Sequence, residues 1–407
     1  MEKTTKFIIY APDTYFYKRI IYELSIAFKN NGLDSFYTTR ESTLKKIIDQ
    51  YRYKNDIIYF FLINKTLESS EVSSNIKIIN WIQDYKFNGK NIIDFQFFKN
   101  QYYYFLINPI AWDLKIKKDI NWSILLPAAT SSKNQINHNE KFDLDVSFVG
   151  FIPPPLNLNQ IISCTKSHNT VELKKVLSKI DKSLFHHSTF SLKKLKDELK
   201  ITLDKFGIAV LSQESEHIFE ELIPRTIERE QIMNKLISAQ IKFKIYGPKT
   251  WREWTEFKKY YAKEVIKYSK LLSIYSSTKI NIHNGALGMH WRVMDVLSLG
   301  SFLITNKSKF DNMPGGINNY LINEEDFVFY EPGSIIDTVD YYLGNPKIRK
   351  EIGYNAKRKI QKFHTWDNRV NQILEDLKVI HSKKNFPTSH NLDQLNFMRF
   401  FQNKIII

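Results

Sequence analysis

Cysteine is almost absent from this chain: Cys164 is the only one in 407 residues. That excludes an internal disulfide and any metal site built on clustered thiolates. It leaves a cytoplasmic enzyme as the default expectation, with Cys164 as structural filler. Long apolar runs are missing as well. Phe7 to Ala11 is short and ends at Pro12 and Asp13, unlike a signal peptide, and no stretch approaches the roughly 18–20 continuous apolar residues of a membrane span. Arginine is scarce, with 11 residues among 59 basic ones. Arginine is the better residue for bidentate phosphate recognition, so the formal charge of +16 reads mainly as a Lys-, Asn- and Ile-rich composition. No lysine block alternates with aromatics as a base-stacking platform would, which argues against nucleic acid as the main partner. A basic surface would still attract anionic small molecules or peripheral membrane lipids.

What is present is enough for two cored domains, since 43% of the residues are hydrophobic. Compact apolar runs at Lys6 to Tyr10, Leu33 to Tyr37, Asp56 to Leu62, Ile76 to Trp81, Tyr102 to Ile107, Ser123 to Leu126 and Val146 to Val149 suit buried strands. Between the first two, Tyr15 to Asn30 places Ile20, Leu24 and Ala27 at helical spacing, and Asn31-Gly32 is a helix stop. Such alternation, with strands that are apolar throughout, predicts a parallel sheet covered on both faces. After Pro153-Pro154-Pro155 the texture becomes helical. Leu192, Leu195, Leu199, Leu203 and Phe206 line one face behind a cap at Ser191. Strand-like runs resume at Lys242 to Tyr246, Lys279 to His283, Phe302 to Thr305 and Phe327 to Tyr330, and Asn345-Pro346 opens the last helix. The pattern supports two α/β lobes with a cleft between them and a helical insert or linker.

The segment Tyr268 to Phe310 reads as helix, buried strand, glycine-containing loop, helix and buried strand, the form of an anion or ligand site in a parallel sheet. Arg292 offers a fixed fork of donors to phosphate oxygens, and Asp295, one turn later, can accept from ribose hydroxyls. The plainer alternative is an exposed i,i+3 ion pair worth about 0.3 kcal/mol. Gly285 and Gly288 would let backbone amides approach a phosphate, or simply form a turn. His290 either donates to that phosphate or caps the helix, and His283 is expected to face the sheet. Gly247 ends a strand where a base or ribose would lie, stiffened by Pro248.

Several fragments together resemble GT-B glycosyltransferases, closest to the CgeB-like (spore-maturation-type) group. Trp81-Ile82-Gln83-Asp84 is similar to that group's W-x-x-D, and Leu126-Pro127-Ala128-Ala129 to its proline segment. Asp145 to Gly150 resembles the strand that closes its first lobe. Ile245-Tyr246-Gly247 with Trp251 resembles the opening of its donor lobe, and His364-Thr365-Trp366 with Arg369 its final helix. Two departures stand out. The arginine usual after the F-V-G segment is replaced by the proline run, so Arg225 or Arg229 would take its place. Of the two glutamates seven residues apart in many retaining enzymes, the first falls on Leu287 and the second on Asp295.

The resemblance implies residues 1–150 as a Rossmann-like acceptor lobe and 151–240 as the helical insert or linker. Residues 241–383 would form the nucleotide-sugar donor lobe with the final helix, and 384–407 a tail. It implies sugar transfer from a nucleotide donor to a polysaccharide, lipid-linked glycan or protein, with no cofactor and no essential metal. Asp143-Leu144-Asp145 spells a D-x-D, yet it precedes a first-lobe strand, far in sequence from the donor segment. The acceptor-side base would be Asp13, after the first strand, or Asp84, with Asp13 preferred; helix N-capping is the alternative for both. The rival expectations are a DNA-modifying transferase of the phage type and a non-catalytic subunit of the same fold.

Overall fold

A computed structural model of the chain describes residues 5–153 apart from 55, 69–72, 85, 113 and 130–141, together with 155, 223–331 and 333–381. The expected helix around Leu192 to Phe206, Cys164 and the tail lie outside the described residues. Among those described, no helix is long and apolar enough to cross a membrane.

The first lobe is built on a six-stranded parallel sheet. Its strands are β1 (Lys6–Tyr10), β2 (Asp34–Thr38), β3 (Ile58–Ile63), β4 (Ile76–Ile82), β7 (Tyr102–Phe105) and β8 (Asn121–Ile124), in the order β2-β1-β3-β4-β7-β8. Every residue of β3, IYFFLI, is buried, as a strand covered on both faces requires. A two-stranded hairpin, β5 (Lys86–Phe87) and β6 (Lys90–Asn91), intervenes after β4. Helix α1 (Tyr15–Asn30) starts where the Thr14 side chain accepts from the Tyr17 amide, and it buries Ile20, Ile21, Leu24, Ala27 and Phe28. It ends at Asn31, and Gly32 follows at φ +76°. Helix α2 (Glu41–Tyr51) buries Leu44 and Ile48 against the other face.

The second sheet runs β11 (Tyr261–Lys263), β10 (Phe243–Tyr246), β9 (Leu144–Val149), β12 (Thr278–His283), β13 (Leu303–Asn306) and β14 (Val328–Tyr330), again all parallel. This corrects one expectation. The strand ending in Phe148-Val149-Gly150 does not close the first lobe; it lies at the centre of the second sheet, between β10 and β12. An apolar run identifies a buried strand without naming its partners, and the partners of β9 are contributed by residues far later in the chain. Helix α3 (Ile223–Ser238) covers β9 and β10 with Ile232, Met233 and Leu236, so it is part of the second lobe's core. Helices α4 (Tyr268–Ser276), α5 (Trp291–Ser298), α6 (Ile335–Gly344), α7 (Pro346–Phe363) and α8 (Trp366–His381) complete the lobe and lead out of it. Asn345-Pro346 opens α7, and α8 follows it as a separate final helix.

The strand order reverses between β1 and β3 in one sheet and between β9 and β12 in the other. These are the topological switch points beside which open α/β sheets bind ligands. The two lobes meet in a shared aromatic joint. Helix α8 returns to pack on α1. Trp291 of α5 lies 5.6 Å from Trp81 and 5.8 Å from Trp366, and Trp81 and Trp366 are 6.3 Å apart. Ring pairs of this kind add about 0.5–1.5 kcal/mol each beyond burial alone. The indole nitrogens are satisfied too: Trp81 donates to the Leu125 carbonyl, Trp291 to Gln83 and Trp366 to Glu23. Arg369 donates to the carbonyls of Leu126 and Pro127 and contacts His364 Nδ1, so the proline segment and the His364-Thr365-Trp366 fragment are one construction.

Candidate functional site

At the switch point of the second sheet, Arg229 ties two strand ends together. Its Nε donates to Asn284 Oδ1 (3.2 Å), its Nη2 to the Asn284 carbonyl (2.6 Å) and its Nη1 to the Phe151 carbonyl. Asn284 in turn donates to Glu228 Oε2 (2.5 Å), and Tyr330 at the end of β14 donates to the His283 carbonyl (3.2 Å). Gly247, after β10, is set by close packing: a Cβ there would stand 2.1 Å from the Gly150 carbonyl oxygen, which also accepts from Trp251 Nε1 at 2.8 Å. The carboxyl edge of the sheet is thus rigid around β9, β10 and β12.

Helix α5 begins at this edge. His290 is its N-cap, with Nδ1 accepting from the Arg292 amide at 3.2 Å. Burial lowers the His290 pKa well below the usual imidazole value, and Arg292, His283, Arg225 and Arg229 push the same way. A neutral ring whose Nδ1 accepts must carry its proton on Nε2, so His290 keeps one donor. His283 stacks on it, ring centroids 5.2 Å apart, rather than turning only into the sheet. Arg292 is half-buried, and its Nε has no hydrogen-bond partner among the described residues. Burial lowers its pKa, and Arg225 adds to the effect while Tyr275 and Asp295 oppose it. Arg229 is pressed down by burial, then by Arg225 and Arg292. Three guanidinium groups and two imidazoles therefore converge on one edge. The acids closest to them are already engaged, Glu228 by Asn284 and Asp295 by the first lobe.

The structure thus brings Arg225, Arg229, His290 and Arg292 into one electrostatic cluster, and it assigns other expected residues different partners. Asp295 is 2% exposed and does not pair with Arg292. Its Oδ1 accepts from Tyr268 Oη (2.6 Å) and from Arg19 Nη1 of α1 (3.3 Å). That overturns the exposed i,i+3 pair, because the helix turns Asp295 toward the joint. The Gly285 amide, expected to face a phosphate, donates to Asn306 Oδ1 at 2.9 Å. Gly288 is fixed by packing, since a Cβ would come within 2.8 Å of Ile317 and 3.0 Å of Asp311 Oδ1. The D-x-D lies at the amino end of β9, the far end from this edge, with Asp145 on Lys279 at 2.7 Å.

In the first lobe, Asp13 follows β1 and pairs with Lys18 at 2.6 Å, both side chains more than half exposed. Asp84 follows β4 and is held more firmly. Its Oδ2 accepts from Tyr17 Oη (2.8 Å) and from Asn64 Nδ2 (2.6 Å), while Oδ1 has no hydrogen bond among the described residues. Asn64, at φ +51°, also accepts from the Gln83 amide at 2.8 Å. Gln83 touches Trp291, the residue after His290, so Asp84 stands on the first-lobe side of the joint beside the start of α5.

Sequence reasoning missed Glu228, Asn284 and Tyr330 around Arg229, and Arg19 and Tyr268 around Asp295. Only the Asn284-Gly285 turn beside the strand carried a local signal. The other contacts join residues distant in sequence.

Residues 225–375 match the family model described as glycosyl transferase-like. No curated protein matches the chain in sequence. Among solved structures, a glycosyltransferase from Rickettsia africae ESF-5 is similar at 11% identity, covering 95% of this chain and 100% of that one with a TM-score of 0.47. HepE from Anabaena, in complex with UDP and glucose, is similar at 8% identity, covering 92% and 99% with a TM-score of 0.43. A mutant O-GlcNAc transferase from Thermobaculum terrenum is similar at 9% identity, covering 92% and 67% with a TM-score of 0.45. The matched stretch, residues 225–375, contains Arg225, Arg229, His290 and Arg292 and is similar to glycosyl transferase-like domains.

Proposed function

We propose that the protein is a metal-independent glycosyltransferase that moves a sugar from a nucleotide donor to a hydroxyl of a polysaccharide, lipid-linked glycan or protein. The observation that carries this reading is the convergence of Arg225, Arg229, Arg292 and neutral His290 at the β9/β12 switch point. A diphosphate is the ligand such an edge suits: guanidinium groups neutralise it, and the His290 Nε2–H adds a neutral donor. Arg229 holds the strand ends in place, while Arg292 and Arg225 meet the phosphates.

In a direct displacement, the acceptor oxygen attacks the anomeric carbon and its proton passes to Oδ1 of Asp84. The bond from the anomeric carbon to the phosphate oxygen breaks, and its electron pair leaves on the nucleoside diphosphate. Tyr17 and Asn64 keep the Asp84 carboxylate oriented for this task. The ordered fragments Trp81 to Asp84, Leu126 to Ala129 and His364 to Trp366 support placement in the CgeB-like group, and a cytoplasmic location fits the near-absence of cysteine. Two measurements test the reading: calorimetric titration with a panel of nucleoside diphosphates, and hydrolysis of a panel of sugar nucleotides. Saturable binding of one nucleotide with slow hydrolysis of its sugar conjugate is expected. No binding across the panel would remove the proposal.

A further inference from the structure

A second basic concavity lies on the first lobe. It is an open pocket of about 580 Å³ at the carboxyl edge of β2, walled by α1 and by the turn into α2. Lys18, Arg19 and Arg40 supply positive charge, Tyr22 and Tyr37 supply aromatic faces, and Thr38 and Thr39 complete the lining. The tyrosine rings meet edge to face at 6.0 Å and are 51% and 40% exposed.

The acids around the pocket are turned to other partners. Glu41 pairs with Lys65 at 3.2 Å, and Glu23 accepts from the Trp366 indole at 2.6 Å. Asp13 balances Lys18 at 2.6 Å, and Asp295 balances Arg19 at 3.3 Å. Arg40 makes no ion pair among the described residues; its amide donates to Thr38 Oγ1, and its carbonyl accepts from the Thr43 and Leu44 amides. The charge left over is a guanidinium beside two hydroxyls, a donor set matched to phosphate oxygens. The neighbouring tyrosine faces suit the apolar stem or ring attached to that phosphate.

We propose that this pocket binds the phosphate group of a phosphate-bearing acceptor, with Arg40 as its main cationic contact and Tyr22 and Tyr37 holding the group next to it. As an acceptor subsite the pocket rests on the transferase reading above. As a phosphate site it stands on its own geometry. A lipid phosphate and a soluble sugar phosphate present the same chemistry, and the test separates them.

Binding to the full chain is measured for farnesyl phosphate against farnesol and for glucose 1-phosphate against glucose, each with and without saturating UDP. Binding that requires the phosphate and persists in UDP is expected. Arg40→Ala should weaken it about tenfold, the loss expected for one charge-assisted hydrogen bond, with an unchanged melting temperature. A phosphate-dependent signal only with farnesyl phosphate assigns the pocket to lipid acceptors, and one only with glucose 1-phosphate assigns it to soluble ones. Equal affinity for phosphate and alcohol, displacement by UDP, an unchanged affinity in Arg40→Ala, or no binding of either phosphate would each overturn the proposal. Failure of nucleotide titration with these results intact would instead remove only the transferase reading.

Discussion

Arg19 of the first lobe and Asp295 of the second form a buried ion pair, 3.3 Å apart, with side chains 14% and 3% exposed. The Arg19 guanidinium also lies 3.8 Å over the ring of Tyr268, whose hydroxyl donates to the same carboxylate oxygen. Burial opposes the Arg19 charge, but Asp295, Tyr268 and Glu23 together hold its pKa above the usual value. Removing one partner of such a pair strands the other charge, at a cost of about 3–5 kcal/mol. Asp295→Ala should therefore lower the denaturation midpoint markedly, and the double replacement Arg19→Met with Asp295→Leu should recover most of the loss. A double variant no more stable than Asp295→Ala would mean that the pair does not fasten the lobes.

The diphosphate role proposed for the arginine cluster implies a trade-off between binding and stability. Arg292→Met removes a half-buried cation pressed by Arg225, so the variant should melt higher than the parent without nucleotide. The same change should weaken nucleoside diphosphate binding at least about tenfold, since charge-assisted contacts to phosphate are lost. Arg292→Lys keeps the charge but not the fork, so it should fall between the two. Calorimetry and thermal melting on the three proteins decide it; a fall in both stability and affinity would point to a purely structural arginine.

Close backbone approaches fix the edge on which that cluster stands. Gly247→Ala places a methyl 2.1 Å from the Gly150 carbonyl, so β9 and β10 must separate where they meet. Overpacking of this kind costs about 1–3 kcal/mol. Gly315, at φ +89° and with its Cβ position 2.6 Å from the Leu106 carbonyl, should respond likewise, because the loop around it packs against the first lobe. Gly333, with nothing within 4 Å of its Cβ position, is the control and should tolerate alanine. Melting temperatures that rank the three differently would contradict the packing account.

How far these relationships were legible in the sequence depends on their range. Strand β3 and helix α1 could be read directly, because an apolar run and a 3.6-residue period are local properties. Strand β11 could not, since Tyr-Ala-Lys at a sheet edge is only partly buried and carries no pattern. The lobe to which β9 belongs was hidden for a different reason: pairing is decided by partners that spacing does not reveal. The same holds at the site. Arg225, Arg229, His290 and Arg292 were identifiable as a chemical set, whereas the partner of Asp295 lies 276 residues earlier in the chain.

Asp311 supplies a pH signature. Burial raises its carboxyl to about 6, with the Ser308 amide pulling the other way. An unfolded chain releases that proton near ~4. Between these values the folded protein holds a proton that the unfolded chain has lost, so this contribution to stability falls as pH rises through the window and is constant above it. Asp311→Asn abolishes the effect and should be more stable than the parent at neutral pH by about 3 kcal/mol. Melting curves at several pH values test this; a parent-to-variant difference that stays flat from acid to neutral pH would exclude Asp311 as its source.

The choice between Asp13 and Asp84 follows from how each carboxylate is held. Asp13 is balanced by Lys18 in solvent, so neither its orientation nor its charge is protected. Asp84 has Oδ2 fixed by Tyr17 and Asn64 and no hydrogen bond on Oδ1 among the described residues, the arrangement a general base needs in order to keep one acceptor aimed at a substrate hydroxyl. With an acceptor present, Asp84→Asn should lower kcat by about a hundredfold or more, the usual contribution of a general base, while nucleotide affinity is kept. Asp13→Asn should leave kcat close to the parent value. Tyr17→Phe should lower kcat less than Asp84→Asn and leave the donor KM unchanged, because it loosens the carboxylate without touching the arginine cluster. A kcat for Asp84→Asn equal to that of Asp13→Asn would assign proton removal to another group.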